Sequence, residues 1–262
     1  MEGKRPSNRG ALPYWTEQGS RVSAISAEQM MMVDRIAMND FGLDILQMME
    51  NAGRNLAEIA LNMLGTVRGE VVILAGGGGN GGGGVCCARH LHNRGVRTEV
   101  VFDRDLAALK GAAGAQWRIL QAAGLEPLMS DRVVALLERA DLVIDALIGY
   151  SLRGTPRGRT AELIALCNDR ARRVLALDVP SGLDATTGEV PGVMIRAEHI
   201  VTLALPKMGL RDTDGAIFLA DIGIPPEVYT RLGVCSVPTF GSRYWLRLAR
   251  TAPLGIEPEQ LR

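Results

Sequence analysis

A run of glycines, interrupted only by Asn80, is the first feature of this sequence that could bind a ligand. It occupies residues 76–84, after a strand-like apolar run over residues 70–75 and before a helix-like run over residues 85–91. Glycines in this position let backbone amides approach a bound anion, where the helix dipole also favours negative charge. A flexible linker is the other interpretation, but linkers rarely join an apolar strand directly to an apolar helix. The sequence therefore predicts a phosphate-binding loop.

Acidic side chains follow two later apolar runs. Asp145 and Asp178 each end such a run, and Ser181 follows three residues after Asp178. Either carboxylate could be structural and cap the amides of the next loop. Two of them beside an anion-binding loop indicate cation coordination or acid–base chemistry instead. Asn80, Asp145 and Ser181 together offer oxygen ligands to a hard cation, with too little charge for calcium, so that a monovalent ion is expected.

Short apolar runs alternate with helix-like segments from residue 70 onward. The predicted strands are Val71–Ala75, Thr98–Phe102, Leu142–Leu147, Val174–Leu177, Ile200–Leu205 and Ile217–Ala220. The predicted helices are Val85–Arg94, Leu106–Ala123, Asp131–Arg139 and Thr160–Ala171. This alternation predicts βαβ units, and hence an α/β fold with a mostly parallel sheet. A loop rather than a helix separates the last two strands, so one sheet edge is expected to depart from the regular winding.

The candidate site residues all follow predicted strands. In parallel sheets ligands bind outside the carboxyl ends of the strands, near the switch in strand order. We therefore expect the glycine loop, Asp145, Asp178 and Lys207 at one edge of the sheet. Lys207 could pair there with a phosphate or with Asp178, although an ordinary surface lysine after a strand is the alternative.

Two helices are predicted ahead of the first strand. One begins at a capping pattern formed by Ser26 and Gln29. The second runs over residues 43–64, with Glu50 and Asn51 among its apolar positions. These two polar residues could simply mark the solvated side of an amphipathic helix.

The chain is interpreted as one domain with a helical N-terminal arm. This domain spans residues 23–240 and shows no internal repeat or interior linker. Residues 1–22 are predicted to be a disordered or loosely docked tail. Residues 241–262 are predicted to be a C-terminal tail, or the start of a linker to a further domain.

Composition argues against several classes of function. The 29 basic and 29 acidic residues balance to zero formal charge, and only 4% of residues are aromatic, which argues against nucleic-acid or anionic membrane-surface binding. No apolar run approaches the roughly eighteen residues of a membrane span, and no secretory signal opens the chain. Four cysteines without metal-ligand spacing predict reduced thiols, and so a cytoplasmic protein.

A dinucleotide-binding fingerprint gives one alternative function. Gly76, Gly78 and Gly81 match the G-x-G-x-x-G pattern, and Asp103 follows about twenty residues later, where a ribose-binding acid is expected. The pattern is weak, because a tract made mostly of glycine matches many glycine motifs. An NAD(P)-dependent dehydrogenase therefore stays open, although the three histidines supply no convincing catalytic group.

Several motifs taken together resemble the NAD(P)H-hydrate epimerase family, also called the YjeF N-terminal domain. In chain order they read MENAG at residues 49–53, NGGGG at 80–84, ARHL at 88–91, DALIG at 145–149, DVPSGLD at 178–184, LPKMG at 205–209 and DIGIP at 221–225. The resemblance covers roughly residues 23–232. It implies a Rossmann-like three-layer α/β/α sandwich, often dimeric, that interconverts the R and S epimers of hydrated NADH and NADPH. A dehydratase, as a partner enzyme or a further domain, would then repair the S form.

The resemblance also implies the site residues. Substrate contacts would come from two loops and one strand end: Gly79, Asn80, Gly81, Gly82 and Gly83; Gly149, Tyr150, Ser151, Leu152, Arg153, Gly154 and Thr155; and Asp178. A potassium ion would be bound by Asn80, Asp145 and Ser181, the same set that the strand ends suggest. Asp178 is the candidate catalytic acid or base. The expected enzyme is an isomerase.

The glycine loop departs from the family pattern. Where that pattern reads NNGGDG, this chain has Gly79 in place of the first asparagine and Gly83 in place of the aspartate. The enzyme could be active through Asp178 alone. The alternative is a catalytically degenerate member that serves as a nucleotide-binding or scaffold module.

Overall fold

A single mixed sheet forms the centre of this computed structural model, which describes residues 12–126 and 132–253. Its nine strands are β1 (Tyr14–Thr16), β2 (Arg21–Val22), β3 (Glu70–Ala75), β4 (Arg97–Phe102), β5 (Leu142–Ala146), β6 (Val174–Leu177), β7 (His199–Leu203), β8 (Ala216–Ala220) and β9 (Trp245–Ala249). Their order across the sheet is β2-β1-β9-β8-β7-β6-β5-β3-β4. Strands β3 to β8 pair in parallel, whereas β9, β1 and β2 join antiparallel at one side.

The strand order reverses around β3. This strand pairs with β4 on one side and with β5 on the other, so the chain crosses over β3 between them. The glycine run leaves the carboxyl end of β3, and Asp145 lies near the carboxyl end of β5. The predicted ligand-binding residues are therefore placed at the switch point of a parallel sheet, where a crevice opens between the two connections.

Seven α-helices flank the sheet within the described residues. They are α1 (Ala27–Asp40), α2 (Ile45–Leu64), α3 (Gly79–His92), α4 (Gly111–Ala122), α5 (Val133–Arg139), α6 (Gly158–Arg170) and α7 (Pro226–Arg231). One buried cluster joins α1 to α4 to one face of the sheet, and a second joins α5 and α6 to the other face. This confirms the predicted Rossmann-like three-layer α/β/α sandwich. Among the helices that the structure describes, none combines the length with the apolar character that a membrane span needs.

Helix caps explain where the N-terminal helices begin and end. Ser26 accepts a bond from the amide of Gln29, whose side chain accepts from the Ser26 amide, so the predicted capping box is confirmed. Asp44 forms the same reciprocal arrangement with Gln47 at the start of α2. Helix α2 ends at Gly65, whose φ of +65° is the left-handed conformation that glycine adopts without strain.

The prediction of loose tails is wrong for the parts that the structure describes. Tyr14 and Trp15 are buried in β1, which pairs with β9 from the other end of the chain. In β9, Leu246 and Leu248 point inward and alternate with more exposed residues. Strands β1 and β2 were missed because two or three residues give no readable alternation. Strand β9 does alternate, over five residues, and this signal in the predicted tail was not used. Residues 1–11 and 254–262 lie outside the described part.

Helix α3 begins at Gly79 and not at Val85 as predicted, so much of the glycine run is helical. Glycine has a low helix propensity, but the close packing of α3 against its neighbours requires glycine at these positions. A Cβ on Gly81 would lie 1.7 Å from the Gly76 carbonyl oxygen, and one on Gly84 would lie 2.4 Å from Ala146 Cβ. The glycines thus let α3 lie closely against β3, β5 and α4. The helix predicted from Leu106 likewise begins only at Gly111, after a short 3-10 turn.

Candidate functional site

A cavity of about 510 Å³ opens at the carboxyl edge of the sheet, and several of the predicted site residues line it. Helices α1 and α2 contribute apolar walls, including Met30, Met48 and Met49. The starts of α3 and α4 also border it, through Asn80 and Lys110 among others. The other polar lining residues are Asp34, Tyr150, Ser151, Asp178 and Lys207. This combination of apolar walls with a few converging polar groups is typical of a small-molecule site.

Asp178 and Lys207 form a buried ion pair in this cavity. The Lys207 Nζ lies 2.5 Å from Asp178 Oδ1 and also donates to the Leu203 carbonyl oxygen at 2.7 Å. The second carboxylate oxygen of Asp178 accepts from the Tyr150 amide at 2.8 Å. Side-chain exposure is 0% for the lysine and 3% for the aspartate. A paired charge in so dry a place can exchange a proton with a bound ligand with little competition from water.

The backbone at Asp178 is strained. Its φ is +70°, a left-handed conformation that non-glycine residues seldom adopt, although aspartate tolerates it better than most. The amide of Asp178 bonds the Val201 carbonyl oxygen at 2.7 Å, so the neighbouring strand holds this conformation. Such strain is commonly found where a side chain must be aimed into a site. It directs the carboxylate toward Tyr150 and Lys207.

Of the alternatives for Lys207, pairing with Asp178 is confirmed and a surface position is wrong. Lys207 is fully buried, and its backbone pairs with Ile25, just ahead of α1. The sequence placed Lys207 at this edge of the sheet but assigned it no role in catalysis or binding, and its burial was not predicted because lysine is rarely buried without a partner. Its position directly after an apolar strand, like that of Asp178, was the signal for including it.

Asp145 and Ser181 form a second buried polar pair beside the cavity. The Ser181 hydroxyl donates to Asp145 Oδ1 at 2.6 Å, and the Ser181 amide donates to Asp145 Oδ2 at 2.7 Å. Burial raises the pKa of Asp145 to about 6, although these bonds oppose the rise. Among the described residues, no basic side chain forms an ion pair with this carboxylate. A cation with oxygen ligands fits such a place, because it would supply the charge that the protein does not.

Asn80 and Gly149 show how tightly the two loops meet. A Cβ on Gly149 would lie 3.0 Å from Asn80 Oδ1 and 3.0 Å from Asp178 Oδ2. Glycine therefore allows a close approach here, since a side chain would have to push these two polar groups aside, and it is not needed for an unusual backbone conformation. The buried Nδ2 of Asn80 has no hydrogen-bond partner within the described structure, so this amide retains an unused donor beside the cavity.

Asp34 and Tyr150, two of the polar residues that line the cavity, are joined by a hydrogen bond. The Tyr150 hydroxyl donates to Asp34 Oδ2 at 2.5 Å. Burial raises the pKa of Asp34, and burial together with the Asp34 charge raises the pKa of Tyr150. Asp34 was not predicted from the sequence as a site residue. The signal was its helical spacing from Met30, Val33 and Ala37, which places an acid on the inward face of α1.

The structure does not bring every predicted substrate residue to the cavity wall. Those that line it are Gly79, Asn80, Gly149, Tyr150, Ser151 and Asp178. Those outside the lining are Gly81, Gly82, Gly83, Leu152, Arg153, Gly154 and Thr155. Gly81, Gly82 and Gly83 are buried in α3, where they allow close packing. The Thr155 hydroxyl donates to the Pro191 carbonyl oxygen. Substrate contact by this second group stays a prediction.

Glu50 has a structural partner and is not merely solvated. Arg89 on α3 donates to both its carboxylate oxygens, at 2.7 and 2.5 Å, and His90 Nε2 lies 3.0 Å from Oε1. Burial raises the pKa of Glu50, but the bonds from Arg89 and Cys86 outweigh it, and the pKa falls to about 2. Cys86, His90 and Glu50 are close enough to hold a metal. The Arg89 guanidinium already supplies the cation there, so the cluster is best explained as a tie between α2 and α3.

Asp103 does not have the role that a dinucleotide fingerprint would give it. Its carboxylate accepts from Arg104 at 2.8 and 3.1 Å and from the Thr160 hydroxyl at 2.8 Å. Its side chain is only 4% exposed. A ribose would have to displace these partners. The dehydrogenase interpretation therefore loses the acid on which it depended.

Comparison with known proteins agrees with this geometry. Residues 45–209 match the family model of the YjeF-related protein N-terminus. The chain is 46% identical over 228 residues to an NAD(P)H-hydrate epimerase of Dehalogenimonas lykanthroporepellens, covering 86% of this chain and 91% of that protein. It is 33% identical over 209 residues to an NAD(P)H-hydrate epimerase of Rhodopirellula baltica, covering 77% and 85% respectively.

A longer relative and a solved structure extend the comparison. The chain is 36% identical over 217 residues to a bifunctional NAD(P)H-hydrate repair enzyme of Moorella thermoacetica, covering 78% of this chain but 41% of that protein. The crystal structure of yeast YNL200c superposes with a TM-score of 0.77, over 86% of this chain and 99% of the yeast chain. At 21% identity the yeast structure supports the fold alone. The family match and the close relatives show that this chain is a member of the YjeF-related protein N-terminus family.

Proposed function

We propose that this chain is an isomerase that interconverts the R and S epimers of hydrated NADH and NADPH. The observation that carries the proposal is the buried Asp178–Lys207 pair in the cavity at the switch point of the sheet. It lies in a chain that is 46% identical to a protein named NAD(P)H-hydrate epimerase. A reaction of this kind needs an enclosed acid–base group beside a site that can hold a dinucleotide.

The dinucleotide phosphates are assigned to the side of the cavity formed by the starts of α3 and α4. Gly79 begins α3, and Gly111, preceded by Lys110, begins α4; all three residues line the cavity. Backbone amides at helix starts and a lysine together favour an anionic ligand. This arrangement would leave the hydrated ring near Asp178.

Asp178 is assigned the acid–base role at the hydrated carbon. Inversion there requires that one bond to a heteroatom breaks and forms again on the other face of the ring. A proton must be given to the departing atom and later taken back, so that no net proton is consumed. Asp178, bonded to Lys207, can give and accept this proton while the ring is shielded from bulk water.

A potassium ion is proposed as cofactor, held by Asn80, Asp145 and Ser181. The support is the buried Asp145 carboxylate, whose pKa burial raises to about 6. The ion would supply positive charge and brace the loops that follow β3, β5 and β6. The reacting groups would still be those of the protein.

The test uses the purified chain, the mixture of epimers and a dehydratase specific for the S form. With the chain present, the R epimer should be consumed much faster than by spontaneous epimerisation. A mixture depleted at the same rate with and without the chain would contradict the proposal.

A nucleotide-binding or scaffold role without turnover is a second candidate, and one observation favours it. Gly79 and Gly83 replace the polar residues of the family loop. Intact NADPH would then bind, as measured by its fluorescence, while the R epimer persisted in the coupled assay. Binding with turnover would exclude this second role.

The partners follow from the same proposal. The S epimer would pass to a dehydratase, as a separate enzyme or as a further domain, in line with the bifunctional relative. A homodimer is proposed through the N-terminal helices, since Met31, Met32 and Met38 on α1 are 46%, 37% and 40% exposed. Light scattering tests this. The free cysteines support a reducing compartment, the cytoplasm.

A further inference from the structure

A second carboxyl group, Asp34, lines the same cavity as Asp178 but belongs to a different part of the fold. It lies on α1, whose start is fastened to the loop that carries Lys207. The Ile25 amide donates to the Pro206 carbonyl oxygen at 3.0 Å, and the Met208 amide donates to the Ile25 carbonyl oxygen at 3.0 Å. Asp34 is therefore held in a fixed position relative to the Asp178–Lys207 pair.

Tyr150 connects the two carboxyl groups. Its amide donates to Asp178 Oδ2 at 2.8 Å, and its hydroxyl donates to Asp34 Oδ2 at 2.5 Å. Its ring lies 5.9 Å from Lys207 Nζ, measured to the centroid. The tyrosine thus extends between the two aspartates, and all three residues line the cavity. A hydroxyl bonded this closely to a carboxylate can pass on a proton without becoming a free phenolate.

We propose that Tyr150 and Asp34 form a second proton-transfer pair of the site, in which Tyr150 contacts the ligand and Asp34 acts through it. The inference rests on the proposed epimerase function and deepens it. Breaking and re-forming a bond on opposite faces of one carbon requires two proton transfers of opposite sense. Two separate pairs allow each transfer to be made from its own position, whereas one carboxylate would have to serve both.

The proton count closes with both pairs included. The bond from the hydrated carbon to its hydroxyl oxygen breaks, and the electron pair leaves with that oxygen, which takes a proton from the Asp178–Lys207 pair. The ring nitrogen shares its lone pair with the carbon, which becomes planar. A water molecule then adds from the other face, its proton passing to the Tyr150 oxygen while the Tyr150 proton passes to Asp34. One turnover therefore leaves the Asp178–Lys207 pair with one proton fewer and Asp34 with one more. Before the next turnover Asp34 releases its proton to water and the Asp178–Lys207 pair takes one up from water, so the enzyme is regenerated and no net proton or water is consumed. The opposite epimerisation reverses each step.

The charged and titratable groups around Asp34 suit this role. Tyr150, Asp178, Lys207 and Tyr229 face it from the loop after β5, the end of β6, the loop after β7 and helix α7 respectively. Burial raises the pKa of Asp34, the Tyr150 bond and Lys207 lower it, and Asp178 raises it. The net rise makes Asp34 a stronger proton acceptor than an exposed aspartate. The rate of water addition should therefore fall at acidic pH, as Asp34 becomes protonated.

The test compares Asp34→Asn, Tyr150→Phe and the control Asp40→Asn, which changes an exposed aspartate on the same helix. Intact NADPH serves as the binding probe, and R-epimer consumption with an S-specific dehydratase gives the rate. Both site variants should lose about 100-fold or more in rate, keep probe affinity within about threefold, and lose the acid limb of the pH–rate profile. The control should retain the wild-type rate and profile.

The outcomes separate the two proposals. An inactive wild type contradicts the epimerase function. An active wild type with unchanged rates and profiles in both variants overturns only the Tyr150–Asp34 assignment. Rates that fall solely in proportion to probe affinity also overturn it, because the pair would then serve binding. Tyr150→Phe retains the ring, so its result stands even if Asp34→Asn fails to fold.

Discussion

The Nζ of Lys207 lies 2.5 Å from Oδ1 of Asp178, with both side chains withdrawn from solvent. The residues follow neighbouring parallel strands, β7 and β6, so the sheet itself brings them together. Removing charges from water costs several kcal/mol per ion, and the pair recovers this only while both partners are present. The same contact therefore bears on both stability and function.

Replacing Asp178 should separate these two contributions. Asp178→Asn keeps a residue that tolerates the left-handed backbone, but it leaves the Lys207 ammonium buried without its counter-charge. We expect the free energy of unfolding to fall by about 3–5 kcal/mol and epimerisation to be abolished. Chemical denaturation and the coupled rate assay measure the two effects.

The double variant Asp178→Asn/Lys207→Met is the matched control. Removing the orphaned charge should restore much of the lost stability without restoring activity. A double variant no more stable than Asp178→Asn would show that the ion pair is not the source of the loss. Activity equal to that of the wild type in either variant would remove Asp178 from the mechanism.

The parallel sheet, and the position of Asp145 and Asp178 at its carboxyl edge, could be predicted from the sequence because strand ends carry strong local signals. Short apolar runs that alternate with helix-like segments indicated β3 to β8. Ligands of parallel sheets bind at the carboxyl ends of the strands, and this placed Asp145 and Asp178 at one edge. What the sequence could not determine depends on distant contacts. The burial of Lys207 could be predicted only if its partner Asp178 were known. The pairing of β1 with β9 joins segments from opposite ends of the sequence.

The glycine run shows the same division most clearly. Its position after β3 was predictable, but its helical conformation was not, because glycine has a low intrinsic helix propensity. The helix can pack this closely against Gly76 and Ala146 only because Gly81 and Gly84 have no side chains, which would overlap them. Packing geometry of this kind appears only when the neighbouring elements are in place.

Restoring the family residues in the loop should not raise activity. Gly79 has open space for a side chain, so Gly79→Asn should fold as well as the wild type. Gly83 is buried, and a Cβ there would lie 2.9 Å from Leu177 Cδ2. Gly83→Asp should lower the free energy of unfolding by about 2 kcal/mol, since it buries an unpaired polar group.

Gly83→Ala is the control for that substitution, because it adds the same Cβ without a carboxylate. Its loss of stability should be clearly smaller, as measured by thermal and chemical denaturation. An increase of epimerisation in Gly83→Asp would mean that the missing aspartate limits this enzyme, contrary to the packing role assigned to Gly83.

Glu50 should contribute stability that depends on pH. Its pKa of about 2 in the folded chain lies below the ordinary value of 4.5. Burial alone would raise this pKa, but Arg89 and the other hydrogen-bond partners lower it by more. A lowered pKa means that the contribution is complete above the ordinary value and is lost as pH falls toward 2. Glu50→Gln should therefore be less stable than the wild type at pH 7, with a difference that shrinks between pH 4.5 and pH 3.

Glu58→Gln, on the same helix, serves for comparison. Glu58 is exposed, and within the described part of the chain its carboxylate accepts a hydrogen bond from the Trp245 ring nitrogen alone. Its effect on stability should vary little over this pH range. A Glu50→Gln difference that stayed constant from pH 7 to pH 3 would show that the contacts with Arg89 do not act through charge.

Potassium should stabilise the chain through Asp145. The carboxylate is fully buried, and its hydrogen bonds come from Ser181 and the Leu147 amide, which carry no full charge. A bound cation would neutralise it, and a ligand that binds only the folded state raises the melting temperature with its concentration. We expect a higher melting temperature in potassium chloride than in tetramethylammonium chloride of equal ionic strength.

Asp145→Asn should remove this difference between the salts. The asparagine keeps the shape of the side chain but no longer carries a charge for a cation to neutralise. Asp169→Asn, which changes an exposed aspartate on α6, should keep the wild-type response. Equal melting temperatures of the wild type in the two salts, over a concentration series, would contradict a potassium site at Asp145. A potassium-specific rise that persisted in Asp145→Asn would place the ion elsewhere in the chain.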